Sequence, residues 1–350
     1  MNNVAVDLFC GIGGLTYGLK SAGINVVAGI DYDGSCKYAY ESNNKAKFIG
    51  KSVSDVTGEE IQELWGKNDS VKILVGCAPC QPFSHHQKDK KNRKRHKDWG
   101  LLYEFLRIVE ESEPDIVSME NVPNLENEQV FKDFVDGLKE LGYQVEYKVH
   151  NAEEVGVPQR RLRLLLLASK SGNINFCKKK YRRKTVRRAI GHLPSIEAGN
   201  YENQIDPLHV SSALSDINLK RIGQSVPGGT WKDWDDELLP ECYKKKSGAT
   251  YTSVYGRMNW DGSAPTLTTQ FNGYGTGRFG HPEQNRALSL REGALLQSFP
   301  AKYKFVKRNE KFRIGTIARQ IGNAVPPKLG EHIGNSIMEK LAKEDITCKK

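Results

Sequence analysis

The sequence predicts an α/β protein built on a parallel sheet, with a second, smaller and irregular domain. Two observations carry this. The first half of the chain alternates short β-rich runs with amphipathic segments, whereas about 195 to 285 is Gly-, Pro-, Asp-, Asn- and Trp-rich with few long helical stretches. Val4–Phe9, Val26–Ile30, Val71–Gly76 and Ile116–Met119 read as buried strands, and Gly14–Ser21, Asp33–Asn43, Trp99–Glu111 and Glu128–Leu141 as helices. Steady alternation implies parallel strands covered on both faces, with ligands bound beyond their carboxyl ends. Tyr143–Val149 and Arg161–Ala168 add two strands that close this domain near residue 170. Leu290–Gln297 and Arg319–Met338 regain helical character, with Pro326 and Pro327 at a helix start or break.

The length of 350 residues suggests about two domains. The densest apolar run, Leu164–Ala168, is five residues long, against the ~18 needed to span a bilayer. The first residues carry no charged and then apolar leader, so a cytoplasmic protein without a membrane partner is expected. Seven scattered Cys suit free thiols in a reducing compartment. The net charge of +10 favours a polyanionic partner. It is concentrated in two clusters: Lys88, Lys90, Lys91, Arg93, Lys94, Arg95 and Lys97, then Lys178 to Lys180, Arg182, Arg183, Lys184, Arg187 and Arg188. Either cluster alone is equally consistent with a solvated face.

Four candidate sites fall after strands. Asp7-Leu8-Phe9-Cys10-Gly11-Ile12-Gly13-Gly14 runs from the first strand into a helix, where glycines permit a turn and free N–H groups face a ligand. A tight structural turn would look the same. Asp31, after the second strand, stands where an acid commonly holds ribose hydroxyls, which suits NAD or S-adenosylmethionine without choosing between them. Gly76-Cys77-Ala78-Pro79-Cys80-Gln81-Pro82-Phe83-Ser84 contains a CxxC with no second ligand pair of zinc spacing, so no metal is expected. A zinc deaminase would need Cys at Phe83. A nucleophilic thiol on a Pro-flanked loop remains, beside the plainer reading of a structural Cys. Glu120-Asn121-Val122-Pro123 offers a carboxyl that could hold a ring nitrogen, or an ordinary helix-leading acid. In Gln159-Arg160-Arg161-Leu162-Arg163, Arg161 and Arg163 alternate along a strand and point to one face, suiting phosphate, a base carbonyl or surface acids.

Together these residues resemble the DNA (cytosine-5) methyltransferases, of the kind found in bacterial type II restriction-modification systems. The likeness spans nearly the whole chain in family order: DLFCGIGG, an acid after the second strand, Asp55-Val56 after the third, GCAPCQPFS, ENVP, QRRLR, RALSLREGALLQSFP from Arg286 to Pro300, and RQIGNAVPP from Arg319. Cys10 stands where the family typically has alanine.

The resemblance implies a Rossmann-like S-adenosylmethionine-dependent methyltransferase fold with double-stranded DNA in a cleft. It places a discontinuous catalytic domain at 1–190 plus 305–350 and a target-recognition domain at 191–304. Phe9, Gly11, Gly13, Gly14, Asp31, Tyr32, Asp55, Val56, Pro79 and Asn323 would bind S-adenosyl-L-methionine. Cys80 would be the nucleophile, Glu120 would hold the cytosine N3 and amine, Arg163 the ring O2, and Arg161 would support the loop and phosphates. Gln81 and Ser84 would meet DNA, as would Thr266 and Leu267, with Arg257 reading a guanine. The target base would flip out of the duplex, and the protein would act as a monomer on DNA, in functional pairing with a restriction endonuclease.

Two other functions fit parts of the sequence. An NAD-dependent oxidoreductase explains the Gly-rich turn and Asp31 but neither Cys80 nor Glu120. A tRNA cytosine-5 methyltransferase of the same family fits the motifs, but the long recognition domain and the lack of a CFT motif argue against it.

Overall fold

The computed structural model describes residues 2–67, 69–79, 100–179, 181–245, 248, 250 and 252–348. They pack as two compact units. The first comprises Met1–Val155, Leu162–Tyr181 and Ala324–Lys350, and the second Gly156–Arg161 and Arg182–Asn323.

The first unit holds a seven-stranded sheet. Its strands are β1 (Asn3–Leu8), β2 (Val26–Asp31), β3 (Lys47–Gly50), β4 (Val71–Gly76), β5 (Ile116–Asn121), β6 (Gln144–Asn151) and β7 (Leu162–Ser169), in the spatial order β3-β2-β1-β4-β5-β7-β6. β1 to β5 are parallel. The expectation of an all-parallel sheet is corrected at its far edge, where β7 lies antiparallel between β5 and β6. Only the short segment Ala152–Arg161 joins β6 to β7, too little chain for a helical crossover, so β7 must return antiparallel. Successive strands run outward from β1 to β3 on one side and from β4 to β5 on the other, which makes the β1–β4 junction the topological switch point where such sheets bind ligands.

Around the sheet lie α1 (Gly14–Ser21), α2 (Lys37–Asn44), α3 (Gly58–Trp65), α4 (Leu101–Ser112) and α5 (Gln129–Glu140). α5 turns Val130, Phe131, Phe134, Val135 and Leu138 inward, the spacing of one helical face. These residues pack with Phe105 and Ile108 of α4 against Met119 and Leu166. Each such side chain contributes about 1.5–3 kcal/mol of burial. β3 was implied only by placing Asp55-Val56 after a third strand, and α3 was not among the expected elements. β3 has four residues, of which only Phe48 is buried, and α3 is announced by a capping box between Thr57 and Glu60.

The second unit contains α6 (Val186–Ile190), α7 (Asp216–Gln224), α8 (Glu241–Lys244), α9 (Leu290–Leu296) and α10 (Ile314–Asn323), and among its described residues only isolated β-bridges. Trp231, Trp234, Tyr274, Ile222 and Ala287 form a small core. After Asn323 the chain re-enters the first unit as α11 (Pro327–Cys348), so the expected break at Pro326 and Pro327 separates α10 from α11. α11 lies on α1 with almost no separation: a Cβ on Gly18 would sit 2.2 Å from the Pro327 carbonyl oxygen, and one on Gly330 2.8 Å from that of Leu15. Among the described residues, no helix is long and apolar enough to cross a membrane.

Candidate active site

At the switch point β1 ends in a turn of unusual backbone. Phe9 has φ 58°, Gly11 48° and Gly13 83°, values in the left-handed region that favours glycine. Gly13 is required twice, since a Cβ there would stand 2.3 Å from Asn44 Nδ2, whereas the space around Gly11 is open. The Gly11 N–H donates to Asp31 Oδ2 at 2.9 Å, and the Asp33 N–H donates to Asp31 Oδ1 at 2.8 Å. Asp31 at the end of β2 is thus fixed against the turn. Burial raises its pKa against the opposing pull of these two donors. Tyr32 beside it is exposed and Phe9 half-buried. Below the turn, Thr16 of α1 donates to the fully buried Asp7 at 2.6 Å, and desolvation pushes the Asp7 carboxyl up to about 7. Nothing in the sequence pattern singled out Asp7 as an acid with a raised pKa.

Asp55 and Val56 follow β3, with Asp55 exposed and Val56 buried. Their loop is held from α4: Arg107 donates through Nη2 to the carbonyls of Val53 (3.3 Å) and Val56 (3.0 Å), while Glu104 and Glu111 hold its other nitrogens. Glu111 also accepts the N–H of Gly58, the first residue of α3. Sequence reasoning missed Arg107 and Glu111. The Glu104-x-x-Arg107-x-x-x-Glu111 spacing reads as ordinary surface pairing on a helix.

Strand register builds the next part. β1 and β4 end on the pair Leu8 and Gly76, and β4 and β5 on Gly76 and Met119. Cys77 and Glu120 come next, where parallel neighbours face the same side. Across the antiparallel β5–β7 ladder, Glu120 stands opposite Leu165, which makes Arg163 its diagonal neighbour on that face. The result is a chain of contacts: Arg163 Nε lies 2.9 Å from Glu120 Oε1, and the Cys77 thiol donates to Glu120 Oε2 at 2.7 Å. Glu120 is 3% exposed. Asn121 donates through Nδ2 to the Ala78 carbonyl at 3.0 Å, tying the loop after β4 to the end of β5. Pro79 follows, half-buried, and Cys80, Gln81, Ser84 and the basic run from Lys88 to Lys97 lie outside the described residues.

In the second unit, Gln159 and Arg161 join three of the motifs. Gln159 Nε2 donates to Gln297 Oε1 at 3.0 Å, its Oε1 accepts the Leu267 N–H at 2.9 Å, and Gln297 Nε2 donates to the Ile321 carbonyl at 2.8 Å. Arg161 donates to the carbonyls of Leu267 (3.0 Å) and Gly322 (3.3 Å). The expected alternation of Arg161 and Arg163 along one strand is corrected, because β7 starts only at Leu162 and Arg161 is buried in the other unit. Its guanidinium is engaged in holding loops. Thr266 is exposed and donates to the Arg160 carbonyl at 2.8 Å; Leu267 is buried and Asn323 exposed at the end of α10.

Arg257 also departs from its expected role. It is 3% exposed and donates to the carbonyls of Ile222, Ser225, His281 and Gln284 at 2.7–2.8 Å, and to Asn285 Oδ1. A guanidinium so engaged has no free edge for a guanine, and Arg257 is a clamp within the small core.

A switch-point turn with an acid on the next strand, and a carboxylate–guanidinium pair at the end of β5, are features of an α/β enzyme. Residues 4–339 match the C-5 cytosine-specific DNA methylases, and the chain belongs to that family. It is a DNA cytosine-5 methyltransferase, which sets the oxidoreductase reading aside. Type II methylase M.HgiDII of Herpetosiphon aurantiacus is 54% identical over 347 residues, covering 96% of this chain and 95% of that protein. Type II methyltransferase M1.BsuMI of Bacillus subtilis (strain 168) is 33% identical over 353 residues, covering 93% and 78% respectively. The crystal structure of a Spodoptera frugiperda DNMT2 mutant shares the fold, with a TM-score of 0.67 at 18% identity over 96% of this chain and 100% of that one.

Proposed function

We propose that this protein transfers a methyl group from S-adenosyl-L-methionine to C5 of a cytosine flipped out of a specific double-stranded DNA sequence, as the monomeric modification enzyme of a type II restriction-modification system working in the cytoplasm. The observation that carries the reading is the Glu120 carboxylate held by Arg163 at the carboxyl end of β5, beside the loop that leads to Cys80. The names of the type II relatives support the biological setting.

The turn after β1 fits the cofactor. Gly11 borders open space, and each Asp31 oxygen, having accepted one backbone N–H, retains a lone pair for a ribose hydroxyl. Phe9 would stack on the adenine, Tyr32 would lie beside the ribose, and Asp55 with Val56 would meet the adenine edge. Gly13 and Gly14 would shape the turn, Pro79 would border the pocket, and Asn323 would face the methionine end. Bound there, S-adenosylmethionine supplies an electrophilic methyl group on its sulfonium.

Cytosine C5 is a poor nucleophile, and the chain's own residues make it reactive. The Cys80 thiolate adds to C6, which turns the ring into an enamine that can attack through C5. Glu120 in its protonated form donates to N3 and accepts from the exocyclic amine, drawing electrons from the ring and rejecting thymine, while Arg163 binds O2. After transfer the C5 proton leaves and Cys80 is eliminated. Flipping costs a few kcal/mol, offset by phosphate contacts. Gln81, Ser84, Thr266 and Leu267 are assigned to the DNA side.

Fluorine at C5 cannot leave as a cation, so DNA carrying 5-fluorocytosine at the target should trap the adduct. With S-adenosylmethionine present, a protein–DNA species surviving denaturing electrophoresis is expected from the parent and from Cys77→Ser, and none from Cys80→Ser. No adduct in the parent at a site established by bisulfite sequencing would overturn the covalent route.

A further inference from the structure

We propose that Cys77 is a positioning residue for Glu120, its thiol holding carboxylate oxygen Oε2 in place until the pyrimidine edge of the target base takes over that oxygen. This rests on the reading of Glu120 as the residue that holds the base.

The placement follows from register. Cys77 is the first residue beyond β4 and Glu120 the fifth of β5, paired one step past the last ladder pair, Gly76 and Met119. Arg163 engages Oε1 and donates through Nη1 to the Leu162 carbonyl at 2.7 Å, so one end of the carboxylate is anchored to a strand. Without a partner at Oε2 the group could still rotate about its terminal torsion, which is broad and roughly two-fold. The Cys77 thiol sits at that oxygen, 2.7 Å away.

The chemistry of a thiol suits a temporary partner. A buried carboxylate oxygen left without a donor carries a desolvation penalty, so some donor is needed before substrate arrives. An ammonium or guanidinium there would bind the oxygen strongly and compete with the incoming amine. S–H is a weak donor, enough to orient the oxygen and readily exchanged for the N–H of an exocyclic amine. Arg163 and Cys77 divide the labour: the first contact is an ion pair and persists, the second is a hydrogen bond from a neutral thiol and yields.

The test uses the full chain, S-adenosylmethionine and a duplex carrying the methylation site, with kcat and KM measured for the parent, Cys77→Ala, Cys77→Val, Cys77→Ser and Glu120→Gln. Cys77→Ala and Cys77→Val, which lack a donor but differ in volume, should both lose about tenfold in kcat, the scale of one hydrogen bond to a charged group. KM for DNA and for S-adenosylmethionine should change by less than about twofold, since the lost interaction acts on chemistry and not on uniform binding. Cys77→Ser, whose hydroxyl can still donate, should return to within about threefold of the parent. Loss in Cys77→Ser equal to that in Cys77→Ala, or loss in only one of Cys77→Ala and Cys77→Val, would assign Cys77 to packing and overturn the proposal. Cys77→Ala as active as the parent, with Glu120→Gln inactive, would overturn the positioning role alone. An active Glu120→Gln would overturn the reading of Glu120 and this role with it.

Discussion

Arg286 and Glu292 meet through two hydrogen bonds of 2.7 Å, with neither side chain more than 1% exposed. Glu292 also accepts the N–H of Ser289, the residue that caps α9. The motif segment from Arg286 to Pro300 is therefore closed on itself by a buried ion pair. Removing one partner strands the other's charge, so Arg286→Ala should destabilise the protein by about 3–5 kcal/mol. Urea unfolding of the two proteins measures this; a loss under about 1 kcal/mol would match an exposed pair instead.

The same cluster sets a response to acid. Burial pushes the Glu292 carboxyl up, but Arg286, His281 and the Ser289 N–H outweigh it and hold the group at about 2; burial lowers His281 to about 4. For both groups the unfolded chain takes up protons first as pH falls. Their contribution is present at neutral pH, starts to be lost below about 6.5 for His281 and below about 4.5 for Glu292, and is gone below the folded values. Melting temperature should drop from pH 7 to pH 4, and His281→Asn should flatten the upper part of that drop.

Asp7 responds in the opposite sense. Its folded pKa is raised to about 7, so between about pH 4 and 7 the unfolded chain ionises while the folded one keeps the proton, and stability falls as pH rises. Asp7→Asn removes that titration. The variant's melting temperature relative to the parent should climb across this window, and a difference independent of pH would show that Asp7 is ionised in the fold.

Arg257→Ala should act on stability, not on sequence choice. Losing the clamp takes the donor from the Ser225 and His281 carbonyls and leaves those of Ile222 and Gln284 with only the N–H groups of Ser225 and Arg286, which should cost about 3–5 kcal/mol. Arg257→Lys should rescue little, because one ammonium cannot span those positions. Bisulfite patterns of whatever folded protein remains should be as sharp as the parent's; relaxed specificity would restore the base-reading role.

Arg107→Gln should weaken S-adenosylmethionine while leaving the fold nearly intact. The side chain is 32% exposed, yet it holds the carbonyls of Val53 and Val56 around Asp55. Kd should rise about three- to tenfold, roughly the value of one partly exposed clamp. Calorimetry reads this directly, and an unchanged Kd would separate the 53–56 loop from cofactor binding.

The sheet was legible because β1, β2, β4 and β5 are contiguous apolar runs between helical patterns, and the site residues follow strands as the α/β rule requires. The return of β7 was not, since strand direction depends on which strands pair and no local pattern records that. The role of Arg257 was hidden for a similar reason. An arginine among Gly, Asn and Tyr looks like a surface reader until the carbonyls of Ile222, Ser225, His281 and Gln284 are seen to converge on it from distant segments. The pairing of Glu120 with Arg163 joins two residues that family motifs mark, whereas Cys77 carried no signal beyond its place in GCAPC.

The contact of Gly18 with Pro327 and of Gly330 with Leu15 bears on how the chain is made. The helix that follows the first turn can reach its packing partner only after more than 300 further residues have been synthesised. Until then α1 lacks its cover, and a growing chain on the ribosome exposes the apolar face that α11 will seal. Contacts so distant in sequence form late and slowly. The turn therefore gains its brace only once α11 has been made, and a nascent chain stalled before α11 would hold the whole DLFCGIGG motif without that helix.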